Sequence, residues 1–511
     1  MKYFYRKDAL IAGMLSFAYI LPLILANTYY QDDILRASFG EEGWISDGRP
    51  LSALLMIILE GHYILADIAP LGLILSIVFL VCTGIFIANF MFPEDDAWKQ
   101  RIIIASITCM SPFYLGNFSF RYDTLPMSIT QCVAIFVPFI STKDQLQRLF
   151  FNFLALIFIL CTYQSCLNTF IASSLLHSII QARNKENINK NLFYFIQDVF
   201  CSLIISVIYA IIASHFITKH SYAGKHSGII PLDSNFISVA FLNFISGFHL
   251  VNLVLSEPFA WIIAAIYSLG LFYNFQIFRE KMYKSSAWNK FSCFFYMISP
   301  LLFLILIIGY TTFLRNPVFE PRTLVSVCIL LYFSFFSFLQ KLSSINRIWP
   351  QFTVVASFML LFSYSYSYGN ALRIHNESEN TQANQIMFLL RLKGFQQNDT
   401  LIIMNKQIEP NIVMTAEHIH PLFSVLIRPI LPSDGYFVPL ILRQTVSFQG
   451  PWKNIRKHVQ SSVEEIKTCK KIILAKLPIY QDDRILMYQN EKTWCIEQTS
   501  HLESFKNYSL D

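Results

Sequence analysis

The feature that most constrains this chain is a succession of apolar stretches, each about as long as a bilayer is thick. A helix crossing the hydrocarbon core needs ~20 predominantly apolar residues. Runs of that order occur at 9–27, 67–91, 102–118, 124–140, 149–163, 165–181, 194–214, 257–278, 291–313, 323–340 and 349–368. They predict a polytopic α-helical membrane protein of about eleven transmembrane helices. Composition agrees, because 54% hydrophobic and 14% charged side chains leave too little polar surface for an ordinary water-soluble globule. The 48 Phe and 25 Tyr suit helices that face lipid and end at the headgroup level. The net charge of +6 is therefore to be read by side of membrane. No basic cluster with interleaved aromatics accompanies it, so nucleic acid is not an expected partner.

The first run follows Lys2, Arg6 and Lys7, as in a signal peptide, but no small-residue cleavage site comes after it, and it is read as a retained helix. Around Tyr163 and Gln164 the chain forms either a tight hairpin or one long tilted helix, a choice that sets the side of every later loop. With the N-terminus inside, the inner connections hold sixteen Lys and Arg, from Lys2 to Arg347, against seven outside: Arg36, Arg49, Arg121, Lys219, Lys225, Arg315 and Arg322. Cytoplasmic loops carry such an excess. The count favours the hairpin and an inward N-terminus, and an odd number of spans then puts the C-terminal tail outside. The segment Phe236–Leu255, interrupted by Gly247, is expected to lie along the surface; as a span it would invert this arrangement.

Beyond residue 370 the character changes. The tail is polar and mixed, with an amphipathic stretch at Asn384–Phe395, β-like runs at Leu401–Met404, Ile472–Leu474 and Ile485–Tyr488, and a turn at Gln489–Lys492. The division expected is a membrane domain, 1–370, and a small α/β domain, 371–511. Most of the ten cysteines lie in apolar runs without metal or redox spacing. Cys469 and Cys495 share the tail and could pair if it faces an oxidising compartment.

The ionisable candidates gather in the outer connections. The first reads Tyr29-Tyr30-Gln31-Asp32-Asp33-Ile34-Leu35-Arg36, then Gly43-Trp44, then Asp47-Gly48-Arg49-Pro50. A carboxylate just outside a membrane helix could take a proton from an attacking hydroxyl, although a charge pair at a surface is often merely solvated. The second outer loop holds Arg121-Tyr122-Asp123, whose charges either pair with each other or mark a site. Tyr163 and Gln164 could hydrogen-bond a sugar or a neighbouring helix. Arg322, with Glu320 beside it, could hold a phosphate bidentately or anchor a membrane end. His215, His220, His226 and His249 are too unevenly spaced for a zinc motif, and no metal ligands are assigned.

The string Asp32-Asp33-Ile34-Leu35-Arg36, Gly43-Trp44 and Asp47-Gly48-Arg49-Pro50, with Arg121-Tyr122-Asp123 and Tyr163-Gln164 downstream, resembles the bacterial serotype-converting O-antigen glucosyltransferases of the Gtr type. Their layout is similar to that of GT-C polytopic glycosyltransferases. The resemblance covers about residues 1–370, is most specific in the first loop, and gives no function for the tail. It implies a multi-pass protein of the bacterial inner membrane with a periplasmic C-terminal domain. Glucose would pass from undecaprenyl-phosphate-glucose to O-antigen repeat units of lipopolysaccharide. Asp32 or Asp33 would be the base, with a weak preference for Asp32, and Arg36, Arg121 or Arg322 would neutralise the departing lipid phosphate. Arg49 would do likewise or fix the loop. A divalent cation between Asp32 and Asp33 could assist.

Two other readings stay open. The acceptor could be lipid A, a protein or another glycan. A transporter or flippase for lipid-linked sugars fits less well, because such proteins place ionisable residues near the bilayer midplane on broken helices, whereas here they sit in outer loops.

Overall fold

A computed structural model describes residues 6–40, 42–140, 144–184, 187–215, 217, 222–283, 286–342, 348–395, 399–404, 409–428, 463–481, 485–491 and 493–498. The chain divides into two compact units. The first comprises Met1–Leu25, Glu42–Gly369 and His420–Leu426; the second comprises Ala26–Glu41, Asn370–Ile419 and Ile427–Asp511.

The first unit is helical. Among the described residues seven helices are long and apolar enough to cross a membrane: Arg6–Ala26, Leu71–Met91, Gln145–Thr162, Ile188–Ala213, Phe236–Val254, Pro258–Tyr283 and Trp288–Leu306. Shorter apolar helices include Pro50–Glu60, Thr124–Phe139 and Val327–Lys341. The helix Ile188–Ala213 exposes Phe193, Ile196, Phe200, Leu203, Val207 and Ile211, a stripe at helical spacing that water would not tolerate and lipid would. The chain is a membrane protein.

Some expected spans are interrupted. The run 102–118 yields Trp98–Ile107 and the short helix Leu115–Phe118, with Pro112 between them, which cannot donate to a helical ladder. The run 291–313 passes through a 3-10 turn containing Pro300. Phe236–Val254, expected to lie on the surface, is long and apolar enough to cross. It packs along the connection after Trp288–Leu306, where the Asn243 amide donates to the carbonyls of Thr312 at 3.0 Å and Leu314 at 2.8 Å.

The break at Tyr163 is a hairpin. Arg148 and Asn152 on Gln145–Thr162, and Ser174 on Cys166–Asn184, all donate to the buried carboxylate of Asp198 on Ile188–Ala213. Positions ten to fifteen residues on either side of the break thus lie side by side, which a continuous helix at 1.5 Å per residue would forbid. Two further buried arginines tie helices together. Arg101 bonds Asp8 at 2.7 Å and the Glu94 carbonyl at 2.6 Å. Arg183 bonds Asn274, Ser337 and Gln340.

The second unit holds a four-stranded sheet, β1 (Thr400–Met404), β2 (Tyr480–Gln481), β3 (Ile485–Asn490) and β4 (Thr493–Gln498), in the order β1-β4-β3-β2. β1 runs parallel to β4 and the other pairs are antiparallel. Strand alternation sorts the side chains into two layers. Leu401, Met487, Trp494 and Ile496 pack with Ile34 and with Ala383, Ile386 and Leu390 from the long helix Ile348–Leu392. Ile402, Tyr488 and Cys495 pack with Cys469 and Ile472 from the helix Val463–Ala475. Ile472–Leu474, expected as a strand, is therefore helical: Cys469, Ile472 and Ile473 recur at three- and four-residue spacing on one face. Cys469 and Cys495 form a disulfide with Cα atoms 5.6 Å apart. Of the turn expected at Gln489–Lys492, Lys492 lies outside the described residues; β3 and β4 pair antiparallel on either side of it, and Glu491 takes φ 53°, the left-handed conformation that tight hairpins require.

Beyond the apolar part of Ile348–Leu392, buried His375 sits 2.7 Å from Glu409 and 3.4 Å from Glu379. Burial lowers its affinity for a proton, but the two carboxylates outweigh burial and push the imidazolium pKa up to about 10.

Candidate functional site

The loop at Gly43–Pro50 is built by short-range bonds. The Trp44 carbonyl accepts from the Arg49 amide at 2.8 Å, and Gly48 takes φ +73°. This curls the loop so that Arg49 immediately precedes the helix Pro50–Glu60, whose first position suits proline. Arg49 Nε donates to Gln164 Oε1 at 3.2 Å, and its guanidinium lies 5.6 Å from the centre of the Tyr163 ring. Gln164 Nε2 donates to the Tyr209 hydroxyl at 3.0 Å, and that hydroxyl donates to the Gly48 carbonyl at 2.6 Å. A closed set of bonds thus joins the loop Gly43–Pro50 to the hairpin turn.

Tyr163 carries the set further. Its hydroxyl donates to the main-chain carbonyl of Arg322 at 2.5 Å, and Asn117 Nδ2 donates to the same carbonyl at 3.3 Å. Arg322 Nε meets Glu320 at 2.6 Å, and its guanidinium lies 4.9 Å from the Phe120 ring. The structure therefore brings together Arg49, Tyr163, Gln164, Glu320 and Arg322, which lie in three separate connections of the sequence, all expected on the outer side. Asn117 and Tyr209 complete the group. Asn117 stood in a loop marked for its charges, and Tyr209, one tyrosine near the end of an apolar run, carried no signal.

Arg121 and Asp123, expected either to pair with each other or to mark a site, have further partners: Arg121 bonds Asp67, and Asp123 accepts from the Trp44 indole at 2.5 Å. The first-loop carboxylates belong to the second unit. Asp32 and Asp33 open the helix Asp32–Phe39, where the positive end of the helix dipole favours anionic side chains. Asp33 is buried and accepts from the Tyr30 amide at 3.2 Å, while Asp32 is half-buried. Arg36 lies buried on the same helix, and its carbonyl accepts from Gly40 at the left-handed cap. Among the described residues no group of three His, Cys, Asp or Glu is placed to hold a metal ion.

These features define a membrane protein of many helices whose loop-end arginines, aromatics and amides are gathered into one hydrogen-bonded cluster. Residues 21–370 match the family described as Glucosyl transferase GtrII. The chain belongs to that family and is a glucosyltransferase embedded in a membrane. It is also similar to a 55.3 kDa protein of Salmonella phage P22, described as uncharacterized and lying in the gtrB 5' region. The identity is 26% over 455 residues, 84% of this chain and 88% of the phage protein. No solved structure matches the chain.

Proposed function

We propose that the protein moves glucose from undecaprenyl-phosphate-glucose to O-antigen repeat units at the periplasmic face of the bacterial inner membrane, with a GT-C-like layout of about eleven crossings. Residues 1–370 form the catalytic membrane domain and 371–511 a periplasmic domain. The observation that carries this reading is that Tyr163 lies under the Arg49 guanidinium and bonds the main-chain carbonyl of Arg322, whose own guanidinium is held by Glu320 over the Phe120 ring. A sugar–phosphate bond breaks with negative charge growing on the phosphate, and fixed cationic donors stabilise that charge as it forms. Glu320 holds Arg322 Nε, and a guanidinium is the side chain suited to bidentate donation to a phosphate.

The acceptor oxygen attacks the anomeric carbon as its bond to phosphate oxygen breaks, and the hydroxyl proton passes to a first-loop carboxylate. One displacement inverts the anomeric centre. Asp32, which is half-buried, suits the base better than the fully buried Asp33.

The test is glucose transfer from undecaprenyl-phosphate-glucose to O-antigen by purified protein, with folding checked in detergent. Loss of a general base costs about 10²–10⁴ in rate, and loss of one charge-stabilising donor about 10²–10³. Asp32→Asn and Arg322→Ala are expected to fall by those factors. Wild-type rates in both Asp32→Asn and Asp33→Asn would sink the assigned base and move the search to Asp123 or Glu320.

A further inference from the structure

The segment His420–Leu426 lies well beyond the part of the chain that matches the family, which ends at 370, yet it packs as part of the first unit. Its side chains point to one place. Leu422, Phe423 and Leu426 are fully buried. Leu426 Cδ2 lies 3.2 Å from where a Cβ on Gly116 would be, and the amide nitrogen of Arg322 lies 3.3 Å from the same point. Glycine at 116 thus lets three stretches of chain meet: the helix Leu115–Phe118, the turn at Pro321–Thr323 and Leu426. The next residue, Asn117, donates to the Arg322 carbonyl.

Two further contacts fix the segment. The Phe423 ring lies 4.8 Å from Tyr364 and 5.3 Å from Tyr368. The Tyr368 hydroxyl bonds Ser119 at 2.7 Å, at the end of the helix that carries Gly116 and Asn117. His420 Nδ1 lies 3.0 and 3.1 Å from the two oxygens of the buried Glu257 carboxylate, and its ring packs 5.1 Å from Tyr364.

We infer that His420–Leu426 is a latch that positions the main chain from which Arg322 meets the donor phosphate. Phe423 and Leu426 are positioning residues: Leu426 packs at Gly116 beside the Arg322 amide, and Phe423 acts through Tyr368 and its bond to Ser119. The inference rests on the assignment of Arg322 to the donor phosphate. Its physical basis is that a displacement of about 1 Å in a charge-stabilising group is enough to cost about 10²-fold in rate, and a void left beside the Arg322 backbone permits one.

The experiment uses the full chain carrying Leu426→Ala, Phe423→Ala or the conservative Leu426→Met, with undecaprenyl-phosphate-glucose and O-antigen varied separately. The kcat is expected to fall about tenfold or more in the two alanine variants while KM for the acceptor stays at its wild-type value, as follows from misplacing a group whose interaction strengthens in the transition state. Inhibition by undecaprenyl phosphate should weaken in parallel, and Leu426→Met should behave as wild type. If Leu426→Ala does not fold, Leu426→Val carries the same comparison. An active wild type with unchanged kcat in the alanine variants overturns the latch alone, as does a rise in acceptor KM as large as the fall in kcat. A wild type inactive with this donor overturns the functional reading and the latch with it.

Discussion

Gly48 shows how much of the cluster depends on a single position. It takes φ +73°, and a Cβ there would lie 2.6 Å from the Tyr209 hydroxyl oxygen and 2.9 Å from Ile217. Its carbonyl accepts that hydroxyl and, at 3.4 Å, the Gln164 amide. Alanine would therefore cost about 1–2 kcal/mol for the left-handed backbone and would also displace Tyr209. Transfer by Gly48→Ala is expected to fall at least tenfold. The double variant Gly48→Ala/Tyr209→Phe should recover part of the loss, because removing the hydroxyl relieves the closest approach though not the dihedral. Losses that simply add in this cycle would mean the two residues act independently. At this scale much was legible. Arg49, Gln164 and Arg322 were identifiable because charge and amide groups at membrane-helix ends stand out against apolar runs. Tyr209 and the role of Asn117 were not, since a polar group's partners in a helical bundle come from distant parts of the chain.

Hydropathy located most helices but could not say how they pair. The choice at Tyr163 between a hairpin and one long helix rested on counting Lys and Arg, whereas in the structure it rests on Asp198. That carboxylate is fully buried and holds Arg148 at 2.5 Å and Asn152 at 2.6 Å. From sequence alone, Arg148 was only one more cation in an inner connection. Its role depends on a partner fifty residues away, and periodicity carries no information about such a pair. Removing one member of a buried ion pair costs about 3–5 kcal/mol, while replacing both with apolar groups is often close to neutral. Asp198→Ala is thus expected to lower the melting temperature in detergent more than the double variant Arg148→Met/Asp198→Leu. A single variant as stable as the double would mean the charges contribute little to holding the hairpin. The same limit explains the misread Ile472–Leu474: three consecutive apolar residues fit either period, and the helix shows only when Cys469 and the charged positions around it are included.

For the whole molecule the informative quantity is the side of the membrane on which the tail lies, because the proposed chemistry needs the outer loops and a lipid-linked donor on the same face. Lys and Arg counts predict an inward N-terminus, and an outward tail then follows from an odd number of crossings with Phe236–Leu255 on the surface, whereas Phe236–Val254 is long and apolar enough to cross. Seven long apolar helices and several shorter ones do not fix that number, since a short helix broken by proline can cross or turn back. The disulfide between Cys469 and Cys495 gives an independent reading: such bonds persist in an oxidising periplasm and are rare in a reducing cytosol. With a sequence separation of 26, it is also expected to stabilise the tail by about 3 kcal/mol. In membranes from intact cells, denatured and treated with a maleimide mass tag, the ten cysteines should accept eight tags before reduction and ten after, because eight are free. Cys469→Ser should accept nine in both states, its lone Cys495 having no partner. Ten tags on the wild type before reduction would mean that the tail meets a reducing compartment, and the outward face assigned to Arg49, Tyr163 and Arg322 would then have to be the inner one.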